Sequence, residues 1–120
     1  MSTINIIPKM SQKSIRIKQK KFDTFDELMD FYEYNSNEIY PYTFQRLEDY
    51  YHKNKKCGEV DIYKVIIGDT DNLKYMCIQE NEWKDILGEI KNYYVRNEMY
   101  NEAANIRNFE TLIWGDFQPI

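Results

Sequence analysis

The sequence predicts an α+β domain in which a small antiparallel sheet packs with helices. Two runs rich in β-branched and aromatic residues, 60–67 and 73–78, are separated by the turn-forming stretch 68–72. This arrangement is typical of a β-hairpin with a long loop. Apolar residues recur at helical spacing on both sides of the hairpin. With 120 residues, the chain is most simply a single domain, 1–120, with its own core.

Another strand and a helix are indicated before the hairpin. Two isoleucines alternate with basic residues, which predicts a strand over about 14–21 with one solvent-exposed face. This strand completes the predicted antiparallel sheet. Thr24 and Glu27 then have the spacing of a capping box. We therefore expect a short helix over about 24–34.

A second helix is predicted after the stretch 35–37, which is rich in residues that end helices. Pro41 suits the first turn of such a helix, because a residue there needs no N–H partner. Apolar and aromatic residues follow along one face, at Tyr40, Phe44, Leu47 and Tyr51. The segment 53–58 should end this helix.

The C-terminal third is predicted to be helical, with a reversal of the chain in its middle. A helix capped by Asn81 should carry a regular apolar face, formed by Trp83, Ile86, Leu87, Ile90 and Tyr94. The pattern weakens around Asn97, a candidate cap for a last helix that Gly115 would terminate. Since no glycine or proline forces the break, one continuous helix over 82–114 is the alternative.

The stretch 98–107 places two small residues inside a charged, aromatic helix, which allows another helix to come close. Six of its residues follow the pattern Glu-x-Tyr-Glu-x-Ala-Ala-x-Leu-Arg-Asp, namely Glu98, Tyr100, Ala103, Ala104, Ile106 and Arg107. The stretch therefore resembles the UVR motif, a short antiparallel helical hairpin of excision-repair nuclease subunits and of some bacterial Clp-type ATPases and their modulators. Residues of other types occupy three positions of the motif, Asn101, Asn108 and Glu110. The resemblance implies a helical hairpin over 81–115, following the α+β core that the element order predicts over 14–80, and a protein-contact element rather than an activity.

Composition narrows the class of protein. Hydrophobic residues make up 42% and charged residues 30% of the chain, which argues against wholesale disorder. No apolar run approaches the roughly 20 residues of a transmembrane helix, and residues 1–7 are too short for a secretory signal. We expect a cytoplasmic protein. Its abundant Tyr, Asn, Lys and Ile are typical of AT-rich genomes, such as those of low-GC bacteria and large virulent phages.

Two groups of residues are candidates for binding another protein or a second copy of the chain. Six tyrosines crowd into 32–51, and tyrosine combines a large apolar body with a polar tip. The predicted contact residues from this cluster are Tyr40, Tyr42, Tyr50 and Tyr51. Those from the UVR-like stretch are Tyr100, Ala103, Ala104 and Arg107. The alternatives are that the tyrosines fill half-buried positions or stack on unpaired bases, and that the alanines pack inside the protein.

Nucleic-acid binding by a basic N-terminal arm is the alternative function. Residues 1–22 carry six basic side chains and no acid, whereas 23–51 carry eight acids and one arginine. The residues that would follow a phosphate backbone are Arg16, Lys18, Lys20 and Lys21. The same charges could instead keep a strand edge from aggregating. The acidic segment disfavours a uniform nucleic-acid surface because it repels phosphate.

No group of residues indicates catalysis, a metal site or a cofactor. Cys57 and Cys77 are too few and too far apart for a zinc cage, and we expect reduced thiols. His52 is predicted to be a solvated surface group and not a general base. The turn 68–72 contains two aspartates but lacks the ligand run of a calcium loop. The sequence thus predicts a small binding or regulatory protein that is not an enzyme.

Overall fold

The computed structural model of the protein describes residues 17–68 and 73–115. Within them, three strands and four α-helices form an α+β arrangement, as predicted. The elements are β1 (Lys18–Phe22), α1 (Phe25–Tyr34), α2 (Ser36–Asn54), β2 (Val60–Ile67), β3 (Leu73–Ile78), α3 (Trp83–Arg96) and α4 (Tyr100–Trp114). No helix of the described part is long and apolar enough to cross a membrane.

In the described part of the chain the sheet has the order β1-β2-β3, with β1 and β3 as its outer strands. β2 and β3 form the predicted antiparallel hairpin, but β1 pairs with β2 in parallel. The prediction of a wholly antiparallel sheet is therefore wrong. The physical reason is the connection between β1 and β2, because two helices bring the chain back far enough for β2 to start beside the beginning of β1. Part of the predicted first strand, 14–16, lies outside the described residues.

A β-bulge in β2 changes which side chains reach the core. Asp61 pairs with Cys77 and Tyr63 with Met76, so Ile62 is an extra residue in the ladder. Ile62 and Tyr63 are both fully buried although they are neighbours in a strand. A bulge permits this because it interrupts the alternation of side chains between the two faces.

The first two helices are joined by a single residue. Thr24 caps α1 as predicted, accepting a hydrogen bond from the Glu27 N–H at 3.2 Å. The predicted break over 35–37 is confined to Asn35, and α2 begins at Ser36 instead of near Pro41. The reason is that the carbonyl of Asn35 accepts bonds from the N–H groups of residues 38 and 39, which starts the next helix at once.

The C-terminal segment is a helical hairpin, and the alternative of one continuous helix is wrong. α3 and α4 lie in contact along their length, and the chain reverses over 97–99. The capping residues differ from the prediction. Asn81 lies in a 3-10 turn whose capping box is formed by Gln79 and Glu82, and Asn97 ends α3 instead of beginning α4.

Trp83 lies at the centre of the core and joins three helices to the sheet region. It is fully buried, and its indole N–H donates to the carbonyl oxygen of Gly58 at 2.7 Å. Aromatic rings of α2 and α4 pack around the indole ring of Trp83. Their centroids lie 6.0 to 6.5 Å from that of Trp83, and they belong to Tyr50, Tyr51 and Phe109.

Candidate protein-docking site

The reversal between α3 and α4 has a fixed hydrogen-bonded geometry. The N–H of Glu98 donates to the Val95 carbonyl at 3.0 Å, and that of Met99 donates to the Tyr94 carbonyl at 2.8 Å. These are the two bonds of a Schellman motif. Glu98 occupies its left-handed position, with φ of 59°, where glycine is usual. A residue with a Cβ costs roughly 1–2 kcal/mol in this conformation, so the turn holds a strained residue.

The side chains around this turn are large, apolar and exposed. Val95 is 45% exposed, Met99 39% and Tyr100 61%. We refer to these three residues as the turn surface. Methionine and tyrosine are side-chain types that interfaces favour, since one is adaptable and the other offers a large, stiff contact area. A group of exposed apolar side chains on a rigid turn is therefore suited to contact with another protein.

The predicted contact residues of α4 separate into buried and exposed ones. Ala103 is only 7% exposed and packs in the core, so it is not available to a partner. Ala104 and Arg107 are exposed, as is Tyr100 of the turn surface. The structure therefore leaves three of the four predicted α4 residues on the surface. Ala103 thus follows the alternative that the alanines pack inside the protein and Ala104 does not, because consecutive residues of a helix point about 100° apart.

The predicted tyrosine cluster consists mostly of internal packing. Tyr42 is buried, and its hydroxyl oxygen accepts a bond from a β1 backbone N–H at 2.9 Å. Tyr50 and Tyr51 are half-buried and pack edge-on against Trp83. Tyr40 is half-buried beside a tyrosine of α3. These four residues join α2 to the rest of the core, which agrees with the alternative that they fill half-buried positions.

The basic residues of β1 do not form an open row of charges. The ammonium of Lys20 pairs with Glu38 at 2.8 Å and lies over a phenylalanine ring. The ammonium of Lys18 lies over a tyrosine ring, 4.6 Å from its centroid. Lys21 is exposed, and Arg16 lies outside the described residues. The contacts of Lys18 and Lys20 direct two of these charges toward the protein itself.

The structure brings together one cluster of potential metal-ligand side chains that the sequence does not associate. Donor atoms of Glu59, Asp61 and Cys77 lie within 4.8 Å of one another, and the thiol of Cys77 donates to a Glu59 oxygen at 3.4 Å. Burial, and then the charge of Glu59, raise the pKa of the Asp61 carboxyl, while Arg46 lowers it. Two carboxylates and a thiol have the chemistry to hold a divalent cation, although exposed acidic groups are common without one.

No pattern in the sequence could have found this cluster. In a regular ladder that starts at the hairpin loop, Ile62 would pair with Cys77. The bulge makes Asp61 the partner of Cys77 instead. Cys57 and Cys77 are not joined in a disulfide, which agrees with the prediction of reduced thiols. His52 is exposed, as predicted. The two aspartates of the turn 68–72 lie outside the described residues.

Comparison with known proteins adds no identification. No protein-family model, curated protein or solved structure matches this chain. The helical hairpin that the UVR resemblance implies is present as α3 and α4. The family itself stays a prediction that rests on the residues of 98–107.

Proposed function

We propose that this protein works by docking onto another protein through the turn surface, Val95, Met99 and Tyr100. One observation carries the proposal. Three large apolar side chains are exposed on the six-residue stretch 95–100, which contains the hydrogen-bonded turn. When a partner buries such side chains, the free energy of the complex falls by about 25 cal/mol per Å² of apolar area removed from water. The hydrogen bonds of the turn order its backbone before binding, which lowers the entropic cost of association.

The conformation of Glu98 supports the same proposal. Replacement by glycine would relieve the strain of its left-handed backbone, and strained residues tend to be kept where a surface has a function. The Glu98 side chain is exposed beside the turn surface. It would add a negative charge to the rim of the interface, where charges influence partner choice and association rate more than affinity.

The test begins with the tagged full chain in extract of its natural host, where mass spectrometry identifies the retained protein. Affinity of the purified partner is then measured by calorimetry for wild type, Met99→Ser and Tyr100→Ser. We expect each substitution to weaken binding by about tenfold or more, since a central apolar contact is worth more than about 1 kcal/mol. Circular dichroism should show both variants folded, because the two side chains are exposed.

Tyr34→Ser is the matched control. Tyr34 is a tyrosine of α1 with 72% exposure, and its replacement removes the same chemical group from a different helix. We expect its affinity for the partner to stay within twofold of wild type. Equal binding by wild type and Tyr100→Ser, or equal losses in Tyr34→Ser and Tyr100→Ser, would exclude the turn surface as the docking site.

A further inference from the structure

An open groove of about 720 Å³ lies beside β3. Three consecutive residues of that strand, 75–77, line it, together with Tyr32 of α1, Glu59 and Glu82. Consecutive strand residues point to opposite faces of a sheet. A groove that touches all three therefore follows the outer edge of the strand instead of one face.

The lining of the groove is acidic and aromatic. Glu59 and Glu82 contribute carboxylates, and Tyr32 and Tyr75 contribute rings, while none of the described residues that line the groove is basic. A carboxylate oxygen of Asp61 lies within 4.8 Å of a carboxylate oxygen of Glu59, so two acidic groups stand close together at this end of the groove. A cationic side chain would relieve the repulsion between the carboxylates and would also interact favourably with the tyrosine rings.

The backbone of β3 provides a second means of recognition. Among the strands that the structure describes, β3 is an outer one with β2 on one side only. Alternate N–H and C=O groups of such an edge strand point away from the sheet. An extended peptide can pair with such an edge through main-chain hydrogen bonds, while its alternate side chains enter the adjoining groove.

From this geometry we propose that the groove binds an extended, lysine- or arginine-bearing segment of a partner protein, which adds to β3 as a further strand. The acidic and aromatic lining selects the basic side chains, and the strand edge holds the peptide backbone. The proposal does not rest on the turn surface, because the two share no residue. Variants of one surface leave the other intact, so failure of either proposal is distinguishable.

The probe is a fluorescein-labelled synthetic peptide of alternating lysine and valine, and its binding to the full chain is followed by fluorescence anisotropy. Glu59→Gln combined with Glu82→Gln should weaken binding about tenfold, since the ammonium groups of the peptide lose two charged hydrogen-bond acceptors. Glutamine at 82 can still accept the capping bond from the Gln79 N–H. Glu33→Gln and a peptide N-methylated at alternate residues are the controls.

Glu33 is an exposed acid of α1 that does not line the groove, so its variant should bind as wild type does. The N-methylated peptide keeps its charges but loses main-chain donors, and it should bind at least tenfold more weakly. Equal binding of both peptides would show charge attraction alone and would overturn strand addition. Equal weakening in Glu33→Gln and in the groove variants would overturn the site.

The two cysteines give an internal readout in one sample. Cys77 lines the groove and Cys57 does not, so the lysine-valine peptide should slow alkylation of Cys77 by iodoacetamide several-fold and leave Cys57 unchanged. Mass spectrometry of the tryptic peptides measures both rates. Protection of Cys77 by Zn²⁺ but not by the peptide would assign Glu59, Asp61 and Cys77 to a metal ion and overturn the peptide proposal.

Discussion

Ala103 and Ala104 are neighbours in the chain, and α4 places them in opposite environments. Ala103 faces the core, where Ile106 and Phe109 follow it on the inner face of the helix. Ala104 is exposed, and the outer face also carries Tyr100 and Leu112, which is 56% exposed. α4 therefore buries one apolar face, while its outer face carries a few exposed apolar side chains among polar ones such as Asn101, Asn105 and Asn108. This difference teaches that a helix in a two-helix hairpin can also present apolar side chains outside the core, where another molecule can contact them.

Phe109→Ala, on the inner face of α4, should change the free energy of unfolding more than any other substitution that distinguishes the inner face from the outer one. Phe109 is 4% exposed, and its ring packs against those of Phe44, Tyr51 and Trp83. Its truncation should lower the free energy of unfolding by about 3–5 kcal/mol, because it leaves a cavity between three elements. Leu112→Ala should change that free energy by less than about 0.5 kcal/mol.

Urea denaturation followed by tryptophan fluorescence measures both variants. A loss in Leu112→Ala that approaches the loss in Phe109→Ala would show that the outer face of α4 is part of the folding core.

The adjacent alanines give the next largest contrast. Ala103→Glu should cost at least about 1–3 kcal/mol, since it overfills the helix interface and buries a carboxylate. Ala104→Glu should leave stability within about 0.5 kcal/mol of wild type. Thermal unfolding of the two variants is the measurement. A folded Ala104→Glu protein that no longer binds its partner would extend the docking site from the turn surface along α4.

The ion pair between α3 and α4 should have the smallest effect of the three. The Nζ of Lys91 lies 2.6 Å from the Oε1 of Glu110, and the two side chains are 34% and 19% exposed, respectively. Lys91→Gln should lower the free energy of unfolding by about 0.5–1 kcal/mol, because solvent screens a partly exposed pair. A double-mutant cycle with Glu110→Gln measures the coupling, and molar salt should reduce it. A coupling near zero would mean that apolar contacts alone hold the two helices together.

Much of the local structure could be predicted because it depends on neighbouring residues. The runs 60–67 and 73–78 form β2 and β3 with the predicted bounds, since β-branched residues flanked by turn-forming residues favour strands. Thr24 begins α1 as predicted, because an N-cap bond involves residues only three positions apart. The reversal near Asn97 was predicted from a weakened apolar pattern.

The candidate sites were less predictable, because exposure depends on packing between distant segments. Tyr42 and Tyr100 are the same residue type, yet one is 4% and the other 61% exposed. Their local sequences do not differ in a way that fixes this. Met99 and Val95 gave no signal beyond being apolar, and only the turn that exposes them makes them candidates for docking.

The sequence by itself determined the order of the strands and helices along the chain, because periodicity and caps act over a few residues. It left a C-terminal hairpin and one continuous helix as alternatives, and the tertiary structure decided for the hairpin. Tertiary structure decided the parallel pairing of β1 with β2, the bulge at Ile62 and the approach of Cys77 to Asp61. It also decided which alanine of α4 is buried. These features depend on how two helices return the chain and on which apolar faces fill the limited space of one core, and no short window of sequence contains that information.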